Sequence, residues 1–213
     1  MKITKIIAFG DSLTQGVALK KGQSNWTDML AARLGVEVIN KGIGGNTSRQ
    51  GLARLKGDVL ELKPDMVIIN FGMNDSIIVN ADGNDNISLS EYESNIREMI
   101  EKITDIGAIP VIAVPNGVIE EYYYTRHPID WYRSVGGAQK QINRYCEKLR
   151  DLAREYSLAL ADINAESLSP ARKLSELLRT PDNGGSEDGV HPYGKGIELY
   201  SEVIYSSIAK YFN

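Results

Sequence analysis

A hydroxyl, an imidazole and a carboxylate that can be brought together make a nucleophilic hydrolase, and this sequence holds each in a setting that would serve. The segment Phe9-Gly10-Asp11-Ser12-Leu13-Thr14-Gln15-Gly16 sets Ser12 two residues after a glycine that ends an apolar run. A hydroxyl there sits where a strand gives way to a helical segment. Backbone N–H groups at such a turn have no intrahelical partner and can stabilise developing negative charge. Taken alone, the pattern also fits Asp11 or Ser12 as a simple helix cap. Near the C-terminus, Glu187-Asp188-Gly189-Val190-His191-Pro192 puts one of only two histidines three residues after an aspartate. A carboxylate at that spacing can fold back onto the imidazole Nδ1–H, fixing the tautomer and leaving Nε2 free as a base. Taken alone, it is also an ordinary loop histidine.

Two further segments add donors. Asn40-Lys41-Gly42-Ile43-Gly44-Gly45-Asn46-Thr47-Ser48 packs three glycines into four residues. Such backbone approaches something closely or adopts positive φ. A phosphate cradle is one possibility, but no Gly-Lys-Ser/Thr end follows and the spacing misses the dinucleotide fingerprint. A plain glycine turn remains the alternative. In Phe71-Gly72-Met73-Asn74-Asp75, Asn74 falls just past an apolar run, where its amide could donate to a ligand or merely form a turn.

Positioning these four segments requires a scaffold, and the hydrophobic pattern supplies one. Apolar runs rich in Val and Ile at Ile3–Phe9, Val36–Asn40, Met66–Phe71, Ile109–Val114 and Leu158–Asp162 predict buried strands with little polar alternation. Helical patterns lie between them. They cover Asn25–Leu34, Ser90–Gly107 with a Ser90-x-x-Glu93 capping box, Ala138–Tyr156 and Lys195–Tyr211. Strand-helix alternation means an α/β fold on a parallel sheet. All four segments then follow strands or precede a helix at one sheet edge, where open α/β sheets bind ligands.

The chain of 213 residues predicts a single domain over residues 1–213 with a sizeable core. A net charge of -4 and scattered Lys and Arg residues predict no nucleic-acid partner. One cysteine, Cys146, excludes an intrachain disulfide and sits at helical spacing among apolar residues. The N-terminal apolar run stops at Gly10-Asp11, too early for a signal peptide, and no run approaches a membrane span. A cytoplasmic location is therefore expected. Asp82-Gly83-Asn84-Asp85-Asn86 has calcium-loop character, but its glycine is misplaced for one. No metal and no cofactor are expected, and the oligomeric state is left open.

The four segments in this order resemble the SGNH hydrolases, also called GDSL esterases/lipases, across the chain from Ile7 to the final helix. The resemblance implies a flavodoxin-like three-layer α/β/α sandwich with strand order 2-1-3-4-5. It implies Ser12 as nucleophile, His191 as base and Asp188 as its orienting acid. It also implies an oxyanion hole from the N–H groups of Ser12 and Gly45 and the side chain of Asn74, with Gly44 the alternative register. A small-molecule ester substrate follows.

The segment Gly117–Gly137 holds Tyr122, Tyr123, Tyr124, Trp131 and Tyr132 and lies outside the resemblance. Asp11, Tyr123 and Trp131 are expected to contact substrate. His127 is read as a loop histidine or a further contact. The aromatic residues could stack on a sugar ring, as in a carbohydrate O-acetylesterase. They could hold an acyl chain, as in a lysophospholipase or thioesterase, or pack as a lid. A binding module with dead chemistry would lack one of Ser12, Asp188 or His191, and all three are present. A nucleotide- or flavin-binding protein is the third class, disfavoured by the missing phosphate loop.

Overall fold

The computed structural model describes residues 2–212. The elements in chain order are β1 (Lys5–Gly10), α1 (Ser12–Gln15), α2 (Trp26–Leu34), β2 (Glu37–Gly42), α3 (Ser48–Asp58), β3 (Met66–Asn70), α4 (Leu89–Asp105), β4 (Ile109–Val114), α5 (Glu120–Tyr123), α6 (Ala138–Glu155), β5 (Ala159–Asp162), α7 (Ile163–Ser167), α8 (Leu174–Leu177) and α9 (Lys195–Ile208). The five strands pair in parallel in the order β2-β1-β3-β4-β5. α2 packs with α9, while α3 packs with α4 and α4 with α6. The sheet is thus covered on both faces, the three-layer α/β/α arrangement expected.

Double coverage explains the composition of the central strands. Every residue of β3 is buried, and so are Ile6–Gly10 of β1. β2 is an edge strand and is only half-buried, which is why it tolerates Glu37, Asn40 and Lys41. It also runs two residues past its expected end, to Gly42, because Gly10 and Gly42 are register partners.

Two local expectations need correction. The cap of α4 is Ser88, whose Oγ accepts from Glu91 N–H at 3.3 Å, and not Ser90. The chain turns earlier because Ile87 is buried and donates its N–H to Asp75 O at 3.1 Å. The helix α3 was not expected. Its apolar stripe is thin, and it packs through Gly51, where a Cβ would lie 2.6 Å from Phe71 Cζ.

Candidate active site

Ser12 begins α1 directly after β1. Gly10 permits that abrupt change: a Cβ there would fall 2.2 Å from Thr14 Oγ1 and 2.5 Å from Asn70 O. Asp11 caps the turn by accepting Leu13 N–H at 2.9 Å. The Ser12 side chain is left at the sheet edge, largely buried at 8 % exposure.

His191 lies on the loop before α9. Asp188 folds this loop as an Asx turn, its Oδ1 accepting Val190 and His191 N–H, both at 2.9 Å. The same carboxylate meets His191 Nδ1, at 2.8 Å from Oδ2 and 3.0 Å from Oδ1. Neighbouring strands of chain hold the loop. Arg179 N–H donates to His191 O at 2.8 Å, and Asn116 Nδ2 donates to Val190 O at 2.9 Å. His191 Nε2 then stands 2.9 Å from Ser12 Oγ.

The electrostatics fix the direction of these bonds. Burial would raise the Asp188 carboxyl, but the His191 ring and the two backbone donors outweigh it and hold the group at about 2. An ionised carboxylate only accepts, so Nδ1 carries the imidazole proton and Nε2 accepts from the serine hydroxyl. Oγ–H is thereby aimed at His191 Nε2, the geometry that an activated nucleophile would need.

The glycine segment turns beside Ser12. Gly44 donates its N–H to Gln15 Oε1 at 2.6 Å. Gly45 adopts φ +77°, in the left-handed region that favours glycine, and its N–H has no protein acceptor among the described residues. Asn74 follows β3, and its amide donates to Asn46 O at 3.0 Å and to Asp11 Oδ2 at 3.2 Å. Asp11 itself is wholly buried, beneath the site floor rather than on it. Burial, with the Asp75 charge adding to it, pushes its carboxyl up to about 7 against the lowering Leu13 hydrogen bond.

Beside Ser12 is a cavity of about 80 Å³ lined by Asn74, Met73, Ile77, Tyr123 and His127, among others. Tyr123 therefore reaches the cavity, as does His127. Trp131 does not line it and packs half-buried against the core. The Asp82–Asn86 stretch closes a tight loop, with Asp85 Oδ1 accepting from Gln141 Nε2 at 2.6 Å and Asn86 Nδ2 donating to Asn74 O at 2.9 Å. Its role is to brace the Asn74 turn.

Two arginines outside the four sequence segments also brace the site. Arg54, on the unexpected α3, donates to Gly10 O at 2.8 Å, Lys41 O at 2.9 Å and Asn46 Oδ1 at 2.9 Å. It ties the ends of β1 and β2 to the glycine turn. Arg126 donates to Asp188 O at 2.8 Å from the aromatic segment. Neither sits in a short motif; only the three-dimensional contacts reveal them.

Residues 8–199 match the GDSL-like lipase/acylhydrolase family. The chain belongs to that family. This GDSL-type enzyme is a hydrolase of carboxylic esters. It is 33 % identical over 223 residues to an acetylxylan esterase of Geobacillus stearothermophilus, covering 96 % of this chain and 93 % of the relative. It is 32 % identical over 170 residues to an uncharacterized lipoprotein, YqeF, of Bacillus subtilis, covering 74 % of this chain and 69 % of the relative. The crystal structure of a lipase/acylhydrolase from Enterococcus faecalis superposes with a TM-score of 0.77 at 26 % identity, covering 98 % of this chain and 96 % of that one. Among the described residues, no helix is long and apolar enough to cross a membrane.

Proposed function

We propose that this GDSL hydrolase cleaves its ester through an acyl-enzyme on Ser12, with His191 as general base and acid and Asp188 orienting the imidazole. The observation that carries the reading is the continuous chain from the Asp188 carboxylate through the His191 ring to Ser12 Oγ, at 2.8 Å and 2.9 Å. As Oγ attacks the carbonyl carbon, its proton passes to Nε2, and Asp188 stabilises the imidazolium. Collapse of the tetrahedral intermediate breaks the carbon–alkoxy bond, and the same proton goes to the departing alcohol. Water then attacks the acyl-serine by the reverse assignment of protons, releasing the carboxylic acid and Ser12.

The oxyanion falls to the N–H groups of Ser12 and Gly45 and to the Asn74 amide. Ser12 N–H heads a helix and Gly45 N–H is unclaimed, so both are ready donors. Both Asn74 amide hydrogens are engaged in the resting site, and the longer bond, to Asp11 at 3.2 Å, is the one the substrate oxygen would share.

A fluorophosphonate probe tests the assignment. It should add to Ser12 alone, as read by peptide mass. Labelling elsewhere, or undiminished in Ser12→Ala, would remove Ser12 from the mechanism. A carbohydrate O-acetylesterase is the second reading, favoured by the near full-length likeness to the acetylxylan esterase. Release of acetate from acetylated xylo-oligosaccharides, lost in Ser12→Ala, is its measurement.

A further inference from the structure

We infer that the cavity beside Ser12 is an acyl pocket closed for short chains, acetyl to butyryl, and that the His127 ring is the wall that sets the limit. The inference rests on the acyl-enzyme reading above and names its substrate class.

The first argument is size. The cavity measures about 80 Å³. An apolar protein cavity of about 150 Å³ holds a benzene ring of six carbons, so this one admits roughly three non-hydrogen atoms. An acetyl group fills it, and a butyryl group presses its far end. The second argument is lining. Met73, Ile77, Val190 and Tyr123 supply its apolar side, while Ser12, Asn74, Arg126, His127 and His191 supply the polar one. A short acyl chain can pack on the apolar side, whereas about 80 Å³ is too small for a sugar ring. Across Gly44 from Ser12, Val17 and Ile43 are exposed and the surface is open, so the alcohol has somewhere else to go.

The third argument is rigidity. His127 stacks on Tyr123 with ring centroids 4.4 Å apart and 28° between planes. Tyr123 is buried, and its hydroxyl meets Tyr132 Oη at 3.1 Å. Tyr132 Oη in turn accepts Ile78 N–H at 3.0 Å, next to the cavity residue Ile77. The wall is thus braced through four residues to the loop after β3, and a longer chain cannot push it aside without breaking that set. His127 is its outermost member and only half-buried, so it can be cut back without opening the core.

The test compares p-nitrophenyl acetate, butyrate, hexanoate and octanoate on wild type, His127→Ala and His127→Phe. Wild-type kcat/KM should fall at least about tenfold from butyrate to hexanoate, the usual cost of one or more misfitting methylenes. His127→Ala should raise the hexanoate-to-acetate ratio by roughly tenfold, and His127→Phe, which keeps a stacking ring, should restore the wild-type ordering. A wild type that takes octanoate as readily as acetate would overturn the inference. So would a folded His127→Ala enzyme with an unchanged ratio, or one whose altered preference follows the alcohol in a series of acetates. If Ser12 takes up a fluorophosphonate while the chain-length profile is flat, the pocket alone is wrong. If Ser12 is neither labelled nor needed for hydrolysis, the acyl-enzyme reading fails with it.

Discussion

His191 Nε2 and Ser12 Oγ lie 2.9 Å apart although 179 positions of chain separate them. Each residue is also held by contacts that the other does not make. Ser12 is fixed by Asp11 and by the close approach that Gly10 allows, while His191 is fixed by the Asx turn of Asp188 and by Arg179 and Asn116. In the proposed mechanism, two independently rigid supports spare the enzyme the ordering entropy of bringing His191 to Ser12 in each turnover. The pair should therefore behave as a unit.

Ser12→Ala and His191→Ala should each lower kcat by about 10⁴–10⁶, and the double variant should be little worse than either single one. Steady-state kinetics on one ester, with thermal melts to establish that each variant is folded, make the comparison. Additive losses would mean that the two side chains act in separate steps.

Asp188→Asn should cost kcat about 10⁴, because a neutral amide no longer dictates which imidazole nitrogen carries the proton. It also carries a stability signature. The folded carboxyl sits at about 2, below its ordinary value of 3.8, so the fold favours the ionised form. That stabilisation is complete above about pH 4 and is lost as pH falls through about 2. The gap in melting temperature between wild type and Asp188→Asn should therefore narrow as pH is lowered from neutrality into that range. A gap constant with pH would mean that the ionised carboxylate contributes nothing to folding.

The fate of particular residues separates what the sequence could say from what it could not. The β1 and β3 runs were legible because strands buried on both faces are continuously apolar, and the strand ends fixed where Ser12 and Asn74 would emerge. Asp188 and His191 were legible because an Asx turn is a local structure, settled within four residues. Helix α3 was obscured by its polarity: it buries Gly51 and Leu55 where a pattern search looks for larger side chains. The Thr47-x-x-Gln50 capping box at its start was the available signal. Trp131 and Tyr123 share one aromatic segment, and only tertiary packing decides that Tyr123 turns toward the cavity while Trp131 turns away. Arg54 pairs with Asp58 at helical spacing, but its bonds to Asn46 and Gly10 reach 8 and 44 positions back, beyond any spacing rule.

Asn74→Ala should reduce kcat by roughly 10²–10³ with little change in KM, because in the proposed mechanism its amide serves an oxygen that becomes charged only in the transition state. The resting contacts add a second expectation. Without the amide, the buried Asp11 Oδ2 loses its donor, so the variant should also melt at a lower temperature. Measuring kcat and KM separately distinguishes the two effects: loss through distortion of the floor would raise KM as well. An enzyme with unchanged kcat would remove Asn74 from the proposed oxyanion hole.

Asp75→Asn should stabilise the protein, and more so at pH 8 than at pH 5. Asp75 is wholly buried, its Oδ1 accepting Ser48 N–H at 2.9 Å and its Oδ2 unpartnered. Burial raises its carboxyl to about 6 despite the lowering contacts with Ser48, and burial with the Asp75 charge raises Asp11 to about 7. Both folded values exceed the ordinary 3.8, so the fold binds more protons than the unfolded chain between these limits. Stability is then greatest below about pH 4 with respect to these two groups and declines as pH rises through 6 and 7. Replacing Asp75 removes one buried charge and lowers Asp11 by removing its neighbour, so both contributions to the decline shrink. Melting temperatures of wild type and variant across this range provide the check, and a variant whose stability falls with pH as steeply as the wild type would show that these carboxyls do not set the slope.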